Sequence, residues 1–320
     1  MIDSKVIIVG GGPAGSTCAW KLKQNNIPTL ILDKKTFPRN KICAGWITQK
    51  VLKDLGLEKI EYPHQMLTFS RLNYHIFGRK IPVRTCQYAI RRFEFDHWLI
   101  KRSGVHVIHH PVRHIRKEDD GFIIDNTYRC KFLVGAGGTN CRVYGTFFSG
   151  INPRKKKYLV ITMEEEFKYD YHDPECHLWF FDNKLKGYSW YVPKGNGYLN
   201  VGIGGKLTGL KDTEESIYDH WDRLVQKLED LSLVKNRMFK PKGCGYYIRE
   251  KVKAVRIGNA FIVGDAAGLA TLDMGEGIGP AVQSGIRAAE AIISGKPYSI
   301  KSIGRYSAVD ILFPWLKTSF

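Results

Sequence analysis

The sequence predicts an α/β protein in which a discontinuous three-layer unit carries an inserted antiparallel β-sheet. Three observations predict this class. Patterns of strand, small-residue turn and helix occur near both ends of the chain, at residues 6–33 and 260–293. The middle of the chain, residues 158–205, alternates aromatic and aliphatic residues between turn signals, which is typical of antiparallel strands. One unit assembled from both ends of the chain explains this order better than domains in series.

The first segment carries a dinucleotide-binding pattern. An apolar, β-branched run at residues 6–9 is followed by Gly10-Gly11-Gly12-Pro13-Ala14-Gly15, a helical stretch, and a second apolar run that ends in Asp33. Gly10 permits the tight turn, Gly12 lets the backbone approach a pyrophosphate, and Gly15 lets the helix pack closely. Asp33 can accept hydrogen bonds from a ribose diol, and the helix N-terminus attracts the phosphates. The predicted dinucleotide contacts are Gly10, Gly12, Pro13, Ala14, Gly15, Asp33 and Lys34.

The last strand–turn–helix pattern is a second candidate site. An apolar run at 260–263 leads into Gly264-Asp265, and Gly275-Glu276-Gly277-Ile278 then opens a helix. Asp265 can meet a hydroxyl or a phosphate, and the helix N–H groups can face a developing negative charge. On these residues alone, a small-residue helix packed against a sheet explains the pattern equally well. The candidate contacts are Gly264, Asp265, Gly275, Gly277 and Ile278.

Composition limits the classes of protein that remain. The chain has 320 residues, a formal net charge of +18, seven cysteines without a C-x-x-C pair, and no apolar run of transmembrane length. The first residues predict a strand and not a signal peptide, so we expect a cytoplasmic protein in a reducing compartment. No metal-ligand pattern and no nucleic-acid motif is present. The basic charge predicts either a solvated surface or attraction to an anionic membrane or a phosphorylated substrate.

Together, the early and late glycine patterns resemble the flavoproteins built like p-hydroxybenzoate hydroxylase, in which both segments bind one FAD. The middle fingerprint of that group is D-G followed by S-x-x-R. Gly138 and Arg142 match it here, whereas Gly137 stands where the aspartate is expected. That departure puts in question the polar contact of the aspartate and the use of a bound pyridine nucleotide.

Two further motifs resemble the geranylgeranyl reductase family. Residues 38–45, with Lys41 and Cys43, are similar to its P-x-x-K-x-C-G-G stretch, with Ala44 in place of one glycine. Residues 188–194 are similar to its Y-x-W-x-F-P-K motif, with Val192 in place of phenylalanine. The resemblance implies FAD as the cofactor and reduction of C=C bonds in an isoprenoid or similar apolar substrate by hydride transfer.

The resemblance also implies roles for individual residues. Cys43 would lie near the flavin and take part in reduction, and Tyr188 and Trp190, which alternate on a strand, would line an apolar pocket facing it. Lys194 is either a solvated turn residue or a cation of the site. The additional residues implied to contact FAD are Lys41, Ala44, Gly45, Arg92 and Gly138.

The domain boundaries follow from the same comparison of segments. We expect residues 1–60, 90–148 and 250–300 to form the FAD-binding domain, residues 61–89 and 149–249 the substrate domain, and 301–320 a C-terminal tail. Only one dinucleotide fingerprint is visible, so the electron donor is either transiently bound NAD(P)H or a ferredoxin-like protein. Residues 311–317 predict either a membrane-touching end or a helix packed on the core.

Three alternatives stay open at this point. A flavin-dependent monooxygenase or halogenase shares the scaffold, although the halogenase stretch W-x-W-x-I-P is only half matched because Tyr188 replaces its first tryptophan. A flavin-binding protein without catalysis is compatible with Gly137. An NAD-dependent dehydrogenase is disfavoured by Gly264-Asp265-Ala266-Ala267.

Overall fold

The structure is a computed structural model that describes residues 1–212 and 214–312. In chain order, its strands are β1 (Ile2–Val9), β2 (Thr29–Asp33), β3 (Trp46–Thr48), β4 (Leu67–Ile76), β5 (Arg79–Ala89), β6 (His106–His109), β7 (Ile115–Glu118), β8 (Gly121–Ile124), β9 (Tyr128–Gly135), β10 (Leu159–Lys168), β11 (Cys176–Phe180), β12 (Gly187–Lys194), β13 (Tyr198–Lys206), β14 (Lys242–Tyr247), β15 (Arg256–Ile257) and β16 (Ala260–Ile262). Its helices are α1 (Pro13–Gln24), α2 (Gln49–Asp54), α3 (Arg92–Arg102), α4 (Leu207–Asp212), α5 (Ile217–Asp230), α6 (Ile278–Ser294) and α7 (Ala308–Leu312).

The first sheet joins strands from both ends of the chain. Its order is β15-β16-β9-β1-β2-β6, and the hairpin of β7 and β8 attaches to β9. The strands from β16 to β6 run parallel, and the central β1 is buried throughout Val6–Val9 because strands lie on both sides of it. The carboxyl ends of β1, β2, β9 and β16 therefore meet at one edge, where parallel α/β sheets usually bind ligands.

The second sheet has the order β14-β10-β13-β12-β11-β4-β5-β3 and is antiparallel except where β11 pairs with β4. The apolar face of α5, with Trp221 and Leu224 buried, packs against it. Helix α5 begins at Ile217 because the Ser216 and Asp219 side chains cap it reciprocally. The predicted α/β class with a separate antiparallel sheet is confirmed.

Helices α1 and α6 approach unusually closely. A methyl group built at Gly285 of α6 would lie 2.3 Å from the Ala14 carbonyl oxygen of α1, so only glycine permits this packing. The contact brings the N-termini of both helices to the same edge of the first sheet. The two glycine segments that the sequence separates by about 250 residues are therefore neighbours in the fold.

Candidate active site

A cavity of about 580 Å³ is lined by residues from both sheets. This volume lies within the usual range of cofactor and ligand sites. All but two of the twenty predicted site residues line it. They are Gly10, Gly12, Pro13, Ala14, Asp33, Lys34, Lys41, Cys43, Ala44, Arg92, Gly138, Tyr188, Trp190, Gly264, Asp265, Gly275, Gly277 and Ile278.

The two remaining residues, Gly15 and Gly45, serve close packing. A methyl group at Gly15 would lie 1.9 Å from the Gly10 carbonyl oxygen, so this position must be glycine for α1 to follow the turn. Gly45 has a positive φ of +64°, and a methyl group there would lie 2.2 Å from the Ile90 carbonyl oxygen. Both positions shape the cavity wall from behind.

The nucleotide end of the cavity is formed by the first turn and the end of β2. Gly10 adopts φ +110°, which closes the turn. The Asp33 carboxylate accepts hydrogen bonds from the backbone N–H groups of Gly11 at 2.6 Å and Lys35 at 2.8 Å, which fix its orientation. At Gly12, the nearest atom to an added methyl group is Arg39 Nη2 at 3.6 Å, so the backbone here is open. These features fit a pyrophosphate beside Gly12 and a ribose beside Asp33.

Arg154 joins the middle and late segments of the site. Its guanidinium donates hydrogen bonds to the carbonyl oxygens of Thr139, Asp265 (3.3 Å) and Ala266 (3.2 Å), and it packs on the Tyr144 ring. In the sequence, Arg154 opens a run of four basic residues that indicates a solvated surface. The structure shows a side chain that holds two cofactor-site loops together.

The N-terminus of α6 carries a partly buried acid, Glu276. Glu276 Oε1 accepts a hydrogen bond from the Gly279 N–H at 2.6 Å. Burial raises the pKa of Glu276 to about 7, although this hydrogen bond opposes the rise. Gly277 and Ile278 beside it line the cavity, which places the positive end of this helix dipole at the cavity wall.

Lys194 is neither a solvated turn residue nor a cation of the cavity. It is fully buried, and its Nζ donates hydrogen bonds to the backbone carbonyl oxygens of Ala44, Gly45 (2.8 Å) and Ile90 (3.0 Å). Burial lowers its pKa, although nearby Glu166 and other acidic groups oppose the fall. Lys194 therefore acts as an anchor that fixes the loop containing Cys43 to the second sheet.

Cys43 is half-buried in that loop. Its sulfur accepts a hydrogen bond from the Gly45 N–H at 3.4 Å, and its own N–H donates to Glu164 Oε1 at 2.5 Å. The Arg92 guanidinium also interacts with the Cys43 side chain. Two different strands, β12 through Lys194 and β10 through Glu164, thus hold this loop.

Arg92 is an internal ion-pair residue as well as a cavity residue. Its guanidinium donates two hydrogen bonds to the buried carboxylate of Asp96, at 2.7 and 2.8 Å, and Arg39 lies 3.4 Å from the same carboxylate. Burial disfavours the charge of Arg92, but Asp96 more than compensates and raises its pKa. Asp96 therefore holds two guanidinium groups near the cavity.

Tyr188 and Trp190 lie on the same side of β12, as predicted, with ring centroids 5.8 Å apart. The Tyr188 hydroxyl donates to the Met274 carbonyl oxygen at 2.6 Å, and burial raises its pKa well above the usual range. Trp190 Nε1 donates to Asn200 Oδ1 at 2.7 Å. Both rings present an apolar wall, and both polar atoms are already bonded to the protein.

Sequence reasoning missed Glu164 and Asn200 at this wall and the anchoring roles of Lys194 and Arg154. The signal for Glu164 was present in the period-two pattern of β10, where Val160, Thr162 and Glu164 all face the cavity. Glu165 and Glu166 follow Glu164 in the sequence, and three consecutive glutamates suggest a solvated segment.

Comparison with known proteins extends this description. Residues 8–76 match the family model described as an NAD(P)-binding Rossmann-like domain. An uncharacterized protein of Methanosarcina barkeri is 32% identical over 93% of this chain and 75% of its own length. Digeranylgeranylglycerophospholipid reductase 2 of Methanosphaera stadtmanae is 25% identical over 96% of this chain and 82% of its own. A reductase of the same name, numbered 1, from Methanopyrus kandleri is 27% identical over 70% of this chain and 63% of its own.

Solved structures share the fold. A geranylgeranyl bacteriochlorophyll reductase-like protein of Thermoplasma acidophilum superposes with a TM-score of 0.78, at 21% identity over 92% of this chain and 79% of that one. The flavin-dependent halogenase CmlS superposes with a TM-score of 0.74, at 19% identity over 92% of this chain and 58% of that one. The fold and the site define a flavin-dependent oxidoreductase with a Rossmann-like nucleotide-binding region. Within that class, the chain belongs to the geranylgeranyl reductase family.

Proposed function

We propose that the chain is an FAD-dependent reductase of C=C bonds in an isoprenoid lipid. The observation that carries the proposal is the shared cavity, whose wall includes both Asp33 of the nucleotide end and Cys43, Tyr188 and Trp190 of the apolar end. The names of the relatives from Methanosphaera stadtmanae and Methanopyrus kandleri support an isoprenoid glycerophospholipid as the substrate.

The residues of the cavity fit FAD. The open backbone at Gly12 leaves room for a pyrophosphate that a side chain would fill, and the fixed Asp33 carboxylate can accept ribose hydroxyl hydrogen bonds. Asp265 and the N-terminus of α6 line the same cavity, where they can hold the remaining part of the cofactor. FAD supplies the hydride when it is bound and reduced.

The protein contributes position and a proton in this proposal. Tyr188, Trp190 and Met274 exclude water from the apolar end and orient the prenyl chain against the cavity wall. Cys43 lies beside the same wall, where its thiol donates the proton that completes saturation. In this proposal, residues 1–60, 90–148 and 250–300 form the cofactor-binding unit, and residues 61–89 and 149–249 the substrate-binding unit.

The test is reoxidation of the reduced flavoprotein by a defined lipid. The purified protein should be yellow and release FAD on denaturation. After anaerobic reduction with dithionite, a digeranylgeranyl glycerophospholipid should restore the oxidised flavin spectrum, and mass spectrometry should show two hydrogens gained per double bond. A protein that binds NAD but no flavin refutes the proposal. Product formation that requires oxygen or halide instead of a reduced prenyl chain identifies a monooxygenase or a halogenase.

The thiol is tested by a matched pair of variants. Cys43→Ala should lower lipid-dependent reoxidation by at least about 100-fold, a usual contribution of a general acid. Cys86→Ala is the control, because Cys86 is also a half-buried free cysteine but does not line the cavity. Full turnover by Cys43→Ala would exclude the proposed role of the thiol.

The electron donor is a separate part of the proposal. We infer a donor that docks transiently, either NAD(P)H or a ferredoxin-like protein, because the sequence holds one dinucleotide fingerprint. Stopped-flow reduction of the oxidised protein with NADH, NADPH or reduced ferredoxin distinguishes these donors. Reduction by none of the three would reject this inference.

Contact with a membrane surface is proposed from charge. Among residues 1–212 and 214–312, no helix is both long and apolar enough to cross a membrane. The formal net charge of +18 favours a cytoplasmic enzyme that meets its lipid at an anionic surface. The predicted contact at residues 311–317 lies largely outside the described residues. Sedimentation with anionic but not with neutral vesicles is the expected result, and equal sedimentation with both would contradict it.

A further inference from the structure

Glu164 is a buried acid on β10 with one oxygen in use and one oxygen free. Its Oε1 accepts the hydrogen bond from the Cys43 N–H at 2.5 Å. Its Oε2 is buried and has no hydrogen-bond partner. The side chain is only 6% exposed, and it lines the cavity beside Cys43. An ionised carboxylate would leave a buried anionic oxygen unpaired, which is costly, whereas a carboxylic acid places its proton on that oxygen.

The groups around Glu164 come from four strands and the Cys43 loop. Burial is the largest influence and raises its pKa to about 7; the Cys43 N–H, the Lys194 ammonium and the Asn200 amide oppose the rise, and Glu166 adds to it. The neighbouring cavity residues on β14, Cys244 and Tyr246, are also influenced electrostatically by Glu164 and by Cys43. Lys194 neutralises part of the charge but donates its own hydrogen bonds to backbone carbonyls, so it leaves Oε2 unpaired.

We propose that Glu164 is the internal proton source that reprotonates the Cys43 thiol after each reduction. The inference rests on the proposed function and deepens it. One substrate carbon receives a hydride with its two electrons from reduced FAD, and the adjacent carbon receives the thiol proton. The C=C π bond, the bond that held the hydride on the reduced flavin and the S–H bond break, two C–H bonds form, and Cys43 is left as a thiolate. The Glu164 carboxyl proton then passes to that thiolate, and water restores the proton on the carboxylate.

The geometry favours this route because the Glu164 carboxyl accepts a hydrogen bond from the Cys43 N–H and both residues line the same cavity. Glu164 acts through Cys43, so it is a positioning and proton-storing residue. It differs in this respect from Tyr188, whose hydroxyl proton is engaged with the Met274 carbonyl.

The first arm of the test detects the proton directly and needs no substrate. Infrared difference spectra of the oxidised holoenzyme in H₂O and D₂O should show protonated carboxyl bands of Glu164 and Glu276, which disappear as the pH rises through about 7. In Glu164→Gln the Glu276 band should stay, whereas the Glu164 band should be lost. It should remain in Glu166→Gln, the matched control, because Glu166 lies two residues along β10, is ion-paired with Arg91 and does not line the cavity. A carboxyl spectrum in Glu164→Gln that is identical to that of the wild type overturns the proposal.

The second arm compares the first turnover, which uses the proton already on Cys43, with later turnovers, which need Cys43 to be protonated again. In Glu164→Gln, single-turnover reoxidation by a lipid with one double bond should fall much less than steady-state turnover, because Cys43 begins protonated and the glutamine oxygen can still accept the Cys43 N–H. Steady-state kcat should fall at least about tenfold with little change in KM, and Glu164→Asp should restore part of it. Unchanged kcat, or a fall of the single-turnover rate equal to that of kcat, overturns the proposal. If the wild type reduces no prenyl lipid, the proposed function fails, and the infrared arm still decides whether Glu164 stores a proton.

Discussion

Two glycines in the first turn allow cofactor binding to be separated from folding. Gly12 has φ −72° and ψ −175°, a conformation that alanine adopts readily. Since an added methyl group meets nothing closer than 3.6 Å, we expect Gly12→Ala to change the free energy of unfolding by less than about 1 kcal/mol. The methyl group would occupy the space of the pyrophosphate. Loss of one or more charge-assisted hydrogen bonds, about 1.5–3 kcal/mol each, weakens FAD binding by about 10- to 100-fold or more.

Gly15→Ala should have the opposite effect. The new methyl group would lie 1.9 Å from the Gly10 carbonyl oxygen and must move by about 1.5 Å to reach the 3.4 Å of an ordinary contact. Gly10 cannot yield easily, because its φ of +110° and its close contact with Ala136 fix the turn. We therefore expect overpacking to lower the free energy of unfolding by about 1–3 kcal/mol or more, even without flavin.

Urea unfolding of the flavin-free variants and fluorescence titration with FAD measure these two effects separately. Wild-type FAD affinity in Gly12→Ala would refute the placement of the pyrophosphate at this turn. Wild-type stability in Gly15→Ala would refute the packing argument for the second glycine. The affinity of Gly12→Ala for FAD tests the cofactor contact, and the stability of Gly15→Ala tests the packing of α1 on the turn.

Three further predictions concern the wall around Cys43. Lys194→Met should lower the free energy of unfolding in urea by about 2–5 kcal/mol, because three carbonyl oxygens lose their buried donor; a change below about 0.5 kcal/mol would contradict the anchoring role. Tyr188→Phe should lower the free energy of unfolding by about 1–3 kcal/mol, because the Met274 carbonyl loses its hydrogen-bond donor. It should lower the rate of lipid reduction less than tenfold, and a larger loss would indicate that the hydroxyl donates a proton. Glu164→Gln should become more stable relative to the wild type as the pH rises from about 4.5 to about 7, and above pH 7 the difference in unfolding free energy should reach about 3 kcal/mol. The reason is that the raised pKa of Glu164 in the folded state makes its ionisation unfavourable to the wild-type fold. Parallel curves of unfolding free energy against pH would contradict this prediction.

The glycine turns were predictable from the sequence because their determinants are local. The conformation of Gly10, the close packing at Gly15 and the position of Asp33 all follow from a strand, a turn and a helix within about thirty residues. The convergence of Gly264 with this turn required the comparison of motifs, because no local pattern states which strands become neighbours. The alternation of Tyr188 and Trp190 likewise follows from strand geometry alone.

Lys194 could not be assigned in the same way. Its carbonyl partners lie 150, 149 and 104 residues away in the chain, so the side chain's role depends on how β12 packs against the Cys43 loop. A lysine after proline at the end of a strand most often faces water. The pairing of Glu164 with the Cys43 N–H spans 121 residues and has the same origin. Such contacts are products of tertiary packing: the period-two pattern of β10 indicates the side on which Glu164 lies, but not the group that it contacts.

The long-range contacts indicate how one fold can support different flavin chemistries. The first sheet and its glycine turns form the nucleotide end, which depends on the backbone and tolerates few changes. The Cys43 loop is instead held by side chains of the second sheet, with Lys194 on its carbonyl groups and Glu164 on an N–H group. A change at either side chain would alter the groups that face the substrate without disturbing the turn at Gly10. The fold shared with a halogenase at 19% identity is consistent with this division, because the fold alone does not specify the chemistry. If Cys43 supplies the proton as we propose, its position is therefore set mainly by side chains of β10 and β12.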